Sequence, residues 1–352
     1  MKPRPSRVRL ADVARRAGVS TTTASRALNG RGELTDGTRA AVLEAATQLG
    51  FRPSPFAQSL RTQRSRTIGL IVPHIAHPFY ASVFQGAQAY LRDVGYRVIL
   101  VDSGEDPDRV ADGISTLLDH WVDGILICTT PFTADRFREL LHGTACVFID
   151  ETVEGVGAGS VTLENEEGVG QLVRHLAGHG HERIAFLGGP GDNTDGRERR
   201  DGFVATMAAL GLPAEPALIR DCEWNLRSGI EQTRELLRME PRPTAVVAAS
   251  AELALGALAA ARSHPLRLPE ELALACFDDT YFAPLLEPAL TVVSYDSPAM
   301  GARSAALLID AIESDQASYT GIRIGVRLIP RRSCGCEFDV MQSLEAAATV
   351  PA

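Results

Sequence analysis

This sequence of 352 residues predicts a small helical head followed by a two-lobed α/β core. Three observations lead there. Residues 10–30 carry two short helical patterns that meet at Ala17-Gly18-Val19-Ser20. From Thr67 onward, short apolar runs alternate with helical patterns, as expected of parallel sheets covered by helices on both faces. Charge divides at the same place. Residues 1–67 hold 13 Lys/Arg against 4 Asp/Glu, a balance of +9 in a chain whose net charge is −9, so the remainder carries −18. A basic head on an acidic body fits a module for nucleic acid joined to one that does not touch it. Charge alone does not separate DNA, RNA and anionic membrane as targets.

In the head, Gly18 supplies the permissive backbone that a tight interhelix turn needs. The Ser20 hydroxyl is placed to cap the second helix by accepting from its free amides. Val13, Ala14, Ala17, Val19, Ala24 and Leu28 form a small apolar core. Thr21, Thr22, Thr23, Ser25, Arg26 and Asn29 remain as a hydrogen-bonding surface on the second helix. Such a surface suits the DNA major groove, where base edges offer donors, acceptors and thymine methyls. An ordinary helical hairpin is the plainer reading of the same residues. A third helix starts at Thr35-Asp36-Gly37-Thr38 and runs to Leu49, with Val42, Leu43, Ala46 and Leu49 as its apolar stripe and Gly50 as its stop. Pro53 and Pro55 then mark a boundary. Ala57 to Leu60 has the length of one further short helix, marginal alone in water and ordered on binding.

In the core, Ile68–Pro73 reads as a buried strand and Phe79–Val94 as a helix. Tyr96–Val101, Val122–Ile127 and Ala145–Asp150 continue the strand series. After a crossover near Val161-Thr162-Leu163 the pattern restarts with Arg183–Leu187, Ala217–Ile219, Ala245–Ala249 and Leu272–Phe277. Two such series imply two similar doubly wound lobes, with a ligand at the carboxyl ends of the strands in the cleft between them.

Other classes of protein fit less well. No apolar run is long enough to span a bilayer, and Met1-Lys2-Pro3-Arg4-Pro5 lacks the hydrophobic stretch of a secretory signal. The expected location is cytoplasmic, with no membrane partner. Cys128, Cys146, Cys222 and Cys276 sit in apolar surroundings and read as buried reduced thiols. Cys334-Gly335-Cys336 is a close pair suited to a metal or to redox chemistry. No second cysteine or histidine pair completes a zinc set, so a plain tail and no metal are expected. Gly188-Gly189-Pro190-Gly191 lacks the Lys-Ser/Thr ending of a phosphate loop and the spacing of a dinucleotide fingerprint, and reads as a turn after a strand. Doubly wound sheets host many enzymes, but no catalytic constellation emerges here, and neither catalysis nor a cofactor is expected.

Several fragments recur in a telling order: Asp12-Val13-Ala14-Arg15-Arg16-Ala17-Gly18-Val19-Ser20, Ser25-Arg26-Ala27-Leu28-Asn29, Ile68-Gly69-Leu70-Ile71-Val72-Pro73 and His77-Pro78-Phe79-Tyr80. Val122-Asp123-Gly124-Ile125, Gly180-His181-Glu182-Arg183-Ile184-Ala185 and Arg331-Arg332-Ser333 complete it. With these the chain resembles, over almost its whole length, the LacI/GalR family of bacterial transcription regulators. The resemblance implies a helix-turn-helix DNA-binding domain over residues 1–50 and a hinge over 51–66. It implies an effector-binding and dimerisation core over 67–336, similar to periplasmic sugar-binding proteins, and a tail over 337–352. In the core, lobe 1 is expected at about 67–160 and 295–325, and lobe 2 at about 161–294 and 326–336. The implied partners are palindromic double-stranded operator DNA, a second copy of the chain, and a small-molecule effector, a sugar or related polyol. The implied output is repression.

Carried over position by position, the resemblance puts Thr21 and Thr22 at the base-reading end of the recognition helix. Ser20 and Ser25 share that surface, Arg26 meets a base or phosphate, and Asn29 meets the DNA backbone. Leu60 matches the hinge leucine that wedges into the minor groove, with Ala57 beside it. In the cleft, Phe79 and Tyr80 match aromatic pocket positions, Arg199 a ligand-gripping arginine, Trp224 a stacking position and Asp278 an acidic one. Asp150 ends a strand of lobe 1. Carboxylates, an arginine fork and an aromatic face suit a polyhydroxylated ligand.

Two departures leave the effector open. Ser250-Ala251 stand where many members have Asn-Asp, and Cys276 stands where glycine is usual. The alternatives are a corepressor-dependent regulator answering to a purine or nucleoside, or a sugar-modifying enzyme on the same fold. His74 and His77, near the cleft rim, read as solvated loop histidines. The tail carries no sustained heptad pattern, which favours a dimer over a tail-made tetramer.

Overall fold

The computed structural model describes residues 8–28, 34–51 and 64–338, apart from 105, 130, 158, 265 and 315–318. Asn29, Ala57, Leu60 and all but the first two tail residues lie outside the described residues. The chain divides into two compact units, Met1–Arg66 and Thr67–Ala352.

Among its described residues the first unit holds three helices, α1 (Leu10–Ala17), α2 (Thr21–Leu28) and α3 (Asp36–Leu49). Gly18 ends α1 in the left-handed conformation, φ 67°, and its amide turns back to the carbonyls of Ala14 and Arg15. The Ser20 hydroxyl accepts from the Thr23 amide at 3.0 Å and so starts α2. Thr35 caps α3 in the same way. Val13, Ala14, Ala24, Ala27, Val42, Ala45 and Ala46 are buried together, with Leu10, Ala17, Val19, Leu28 and Leu49 packed against them. Leu43 departs from expectation and is 47% exposed. Residues 42, 45, 46 and 49 recur at three- and four-residue steps and share one face, whereas position 43 is turned about 100° away from 42. Arg16 ties α1 to α3 through Gln48 at 3.0 Å.

The second unit has two lobes. The first is built on β1 (Thr67–Val72), β2 (Arg97–Asp102), β3 (Gly124–Ile127), β4 (Ala145–Ile149), β5 (Gly159–Leu163) and β11 (Thr320–Ile324). They form a wholly parallel sheet in the order β11-β5-β4-β3-β1-β2. Its helices are α4 (Pro78–Asp93), α5 (Pro107–Asp119), α6 (Ala134–Leu141) and α11 (Ser297–Glu313). The second lobe is built on β6 (Ile184–Gly188), β7 (Ile219–Asp221), β8 (Ala245–Ala248), β9 (Ala273–Phe277), β10 (Thr291–Ser294) and β12 (Arg327–Ile329), in the order β12-β10-β9-β8-β6-β7. Its helices are α7 (Asn165–Gly178), α8 (Thr194–Ala209), α9 (Leu226–Leu237) and α10 (Ala251–Ser263).

Three details differ from the sequence expectation. Val161–Leu163 belongs to the first sheet, so the chain leaves lobe 1 at Glu164 rather than near 160; the register of β5 with β11, Val161 beside Ile322, holds it there. β12 runs antiparallel to β10. It follows β11 after only two residues and so enters lobe 2 moving away from the cleft, against the direction of the strands that end there; parallel entry would need a long crossover. Ala217 and Leu218 form a 3₁₀ turn that leads into β7 rather than the strand itself.

The first lobe's largest helix contact is unusually close. A Cβ on Gly86 of α4 would stand 1.9 Å from the Pro298 carbonyl oxygen, and one on Gly301 of α11 would stand 2.0 Å from that of Val83. Only hydrogen fits at these positions, which lets α4 and α11 touch backbone to backbone.

Candidate effector cleft and DNA-reading helix

The carboxyl ends of β1, β4, β6, β8, β9 and β10 converge on a cavity of about 320 Å³ between the lobes. Lobe 1 contributes His74, His77, Phe79, Tyr80 and Asp150 to its walls. Lobe 2 contributes Asp195, Arg199, Trp224, Ser250, Glu252 and Asp278, and Tyr295 lines it from the crossing between β10 and α11. The structure therefore brings together all six residues singled out in the sequence for this cleft: Phe79, Tyr80, Asp150, Arg199, Trp224 and Asp278. A mixed aromatic and charged pocket at strand carboxyl ends is the ordinary place for a small ligand in such sheets.

Arg199 is the anchor. It projects from α8, is 4% exposed, and donates from Nε to Asn165 at 2.8 Å and from Nη1 to the Ala249 carbonyl at 2.7 Å. Its second terminal nitrogen faces Asp195, one helical turn earlier, at 3.6 Å. The guanidinium lies 4.0 Å from the centroid of Phe277. Burial opposes its charge, but Asp195, Asp278 and Asp150 outweigh burial and hold it protonated, above its ordinary range.

The carboxylates are unevenly satisfied. Asp278 accepts from the Tyr295 hydroxyl at 2.5 Å and from the Ala251 amide at 3.2 Å. Asp150 and Asp195 instead face each other. Burial holds Asp150 well above the usual carboxylate range, the charge of Asp195 pushes it further, and Arg199 pulls against both. Burial also raises Asp195, while Arg199 and a hydrogen bond with Asp150 lower it. Oδ1 of each meets no protein donor among the described residues. Asp150 and Asp278 also hold positive φ, 65° and 93°. Non-glycine residues in such conformations concentrate where a site fixes the backbone.

Contacts between lobes flank the cavity. The Thr194 amide donates to Glu151 at 3.0 Å, and the Thr152 amide to the Thr194 hydroxyl at 3.2 Å. Arg323 of β11 grips Glu198 of α8 through both terminal nitrogens at 2.6 Å. His77 is more than a solvated loop residue. Its Nδ1 accepts from the Phe79 amide at the start of α4, and its Nε2 lies 3.6 Å from Glu252 across the mouth. Asp195, Glu252 and Tyr295 were not singled out in the sequence. Asp195 opens the charge-rich run Thr194–Arg200, which reads as a solvated face; its four-residue spacing from Arg199 was the signal available.

In the first unit, Thr21, Thr22 and Arg26 are exposed on α2, and Ser25 is half-buried. Ser20 spends its hydroxyl on capping α2 and pairs with Thr23 at 2.8 Å. At the far end of the chain, the structure corrects the reading of Cys334 and Cys336 as a plain tail. His175 and His179 of α7 and its C-cap meet both cysteines, which spacing hid because the two pairs stand about 160 residues apart. No helix among the described residues is long and apolar enough to cross a membrane.

A helix-turn-helix unit joined to a two-lobed ligand-binding core defines a DNA-binding regulator with a small-molecule sensor. The profile of bacterial regulatory proteins of the lacI family matches residues 9–54, and that of the periplasmic binding protein-like domain matches 173–334. The transcriptional regulator RegA of Clostridium saccharobutylicum is 31% identical over 314 residues, covering 88% of this chain and 94% of its own. The Lac repressor dimer bound to operator and an anti-inducer superposes with a TM-score of 0.83 at 26% identity, covering 94% of this chain and 99% of that one. A complex of the regulator CelR with cellobiose gives 0.71 at 30% identity, covering 93% and 100%. The chain belongs to the LacI family of bacterial transcriptional regulators. Its relatives are regulators and not enzymes.

Proposed function

We propose that this protein is a dimeric repressor that binds a palindromic operator through α2 and releases or grips it according to a sugar or related polyol held between the core lobes. One observation carries the choice of ligand: buried acceptors without protein donors, the Oδ1 atoms of Asp150 and Asp195, stand in the same cavity as an immobilised arginine fork and the faces of Trp224 and Phe79. A polyhydroxylated ligand donates to the carboxylates, accepts from the guanidinium and lays its apolar face on the ring. The bound CelR–cellobiose complex, on the same fold, supports that class.

In this reading Thr21, Thr22, Ser25 and Arg26 meet the half-site, with Asn29, Ala57 and Leu60 carried over from the family resemblance. Ligand shifts operator affinity only by preferring one arrangement of the lobes. The contacts that bridge the cleft, Glu151–Thr194, Arg323–Glu198 and His77–Glu252, are the ones such a preference would remake. In this reading the protein works in the cytoplasm, where its DNA target lies.

The test is a thermal-shift panel of sugars, sugar acids, nucleosides and purines. A ligand at a hundred times its Kd stabilises the native state by about 2.7 kcal/mol. A sugar should raise Tm and change operator affinity, and Arg199→Lys, which keeps the charge but loses the fork, should abolish both effects. A response to nucleosides or purines alone, or an unaltered sugar response in Arg199→Lys, overturns the assignment.

A further inference from the structure

The cluster at the end of the core is not part of the effector cleft. His175 lies in the last turn of α7, and His179 follows it by four residues as the C-cap, so both rings project from one side of the helix. Their centroids are 4.8 Å apart. Facing them is Cys334-Gly335-Cys336. The sulfur of Cys334 stands 3.1 Å from His175 Nε2, and that of Cys336 stands 3.3 Å from His179 Nε2 and 3.7 Å from His175 Nε2. All four potential ligand atoms fall within 4.8 Å of one another.

Hydrogen bonding alone accounts poorly for this convergence. A thiol is a weak donor with one proton, yet Cys336 faces two imidazole nitrogens. A cation at the centre satisfies all four groups. Tetrahedral zinc, with Zn–S near 2.3 Å and Zn–N near 2.0–2.1 Å, holds its ligand atoms roughly 3.3–3.8 Å apart, close to the three sulfur–nitrogen spacings of 3.1–3.7 Å, and a small inward shift brings in the widest pair. Two thiolates with two imidazoles in tetrahedral array select zinc over the oxygen-seeking divalent cations.

The surroundings hold the cysteines in place. Ser333 is locked between strands by its bonds to the Thr291 amide at 2.8 Å and the Leu274 carbonyl at 2.5 Å. Arg331, 3% exposed, reaches Asp279 at 2.8 Å and the Leu290 carbonyl at 2.9 Å. Gly335 takes φ 96°, a conformation that turns Cys336 back toward α7 and that a side chain would strain. The Thr291 hydroxyl lies 2.9 Å from the Cys334 sulfur, where it can donate to a thiolate, as outer-sphere partners of metal ligands do.

We propose that His175, His179, Cys334 and Cys336 form a structural zinc site that staples the end of the core to α7 in lobe 2. All four ligands come from the protein, which leaves no open position for chemistry. Binding releases the two thiol protons to solvent, and the metal's binding energy becomes stability of the folded lobe.

The test uses the full-length protein without a histidine tag, reduced and incubated with zinc, and metal analysis by mass spectrometry after gel filtration. One zinc per chain is expected, with tetrahedral cobalt(II) bands in the visible spectrum when cobalt replaces it. Cys336→Ser, a near-isosteric change at a half-buried position, and His179→Ala, at an exposed one, should each weaken zinc binding at least tenfold. Chelation should lower Tm in the parent and leave the two variants unmoved. Failure to take up stoichiometric zinc overturns the proposal. So does full retention of zinc in the Cys336→Ser/His179→Ala double variant. So does a reduced protein that binds no zinc but reoxidises to a Cys334–Cys336 disulfide, which would mark a redox pair. The cobalt spectrum of the parent stands as a readout even if a variant fails to fold.

Discussion

Two buried carboxyls, Asp150 and Asp195, lie beside Arg199 with burial raising both, and that arrangement sets a pH dependence with a definite sign. Asp150 has a folded pKa raised by burial and by the neighbouring carboxylate. In the unfolded chain it loses its proton near pH 4. Between that pH and the folded value the native state binds more protons than the unfolded one, so this group's contribution falls as pH rises through that window. Asp150→Asn keeps the hydrogen bond to Asp195 without the ionisation. It should stabilise the unliganded protein at neutral pH and flatten the decline in Tm as pH rises above the ordinary carboxylate range; an unchanged slope would show that the pair does not titrate there. Because ligand hydroxyls donate best to ionised carboxylates, parent affinity should rise with pH over the same window, as titration calorimetry can measure. Arg199, Asp278 and Trp224 were placed in the sequence only by carry-over from the family resemblance, and none of them stands in one of the ordered fragments. Asp195 and Tyr295 were not placed, because one lies in a helical run that reads as solvated and the other in a crossing segment with no pattern of its own.

Among elements, the pairing of α4 with α11 is the most sensitive to small change. Gly301→Ala would press a methyl onto the Val83 carbonyl, and neither atom belongs to a side chain that can swing aside. Overpacking of this kind costs about 1–3 kcal/mol, which should appear as a lower Tm with the DNA-binding unit intact. The helices themselves were readable from periodicity, as in α4, expected over Phe79–Val94 and found over Pro78–Asp93, although its histidine cap was not read. α3 was readable in its length and in most of its facing, with Val42, Ala46 and Leu49 in the core; Leu43 looked like core by hydropathy, but Ala45 occupies that face. On α2, Arg26→Ala removes an exposed cation suited to guanine or phosphate. It should weaken specific operator binding by about 1–3 kcal/mol in a mobility-shift assay at fixed salt. The ligand-induced Tm shift of the core should stay the same.

At the level of the whole molecule, the texture of strands and helices made the two lobes legible, down to the order in which they occur. Where the chain passes between them was less so, because β5, β11 and β12 are short and their places depend on pairing with distant segments. Val161–Leu163 looked like a link and is a strand, and β12 lies against the direction of its neighbours. Pairing over such separations leaves little trace in local composition, as does the meeting of His175 and His179 with Cys334 and Cys336. The separation into two compact units predicts that residues 67–352, produced alone, keep ligand affinity within a few-fold of the full chain; a large loss in calorimetry would show that the head contributes to the pocket.

Both sheets are completed by the last described stretch of the chain, β11 at the edge of the first and β12 at the edge of the second, with the buried Arg331–Asp279 pair just beyond. For the gene this has a plain meaning. A stop codon or frameshift after Glu313 leaves almost every codon in place, yet it strips a strand from each lobe and strands Asp279 without its cation. Late truncations should therefore behave as null alleles with accumulated unfolded protein, rather than as regulators that bind DNA but ignore their ligand.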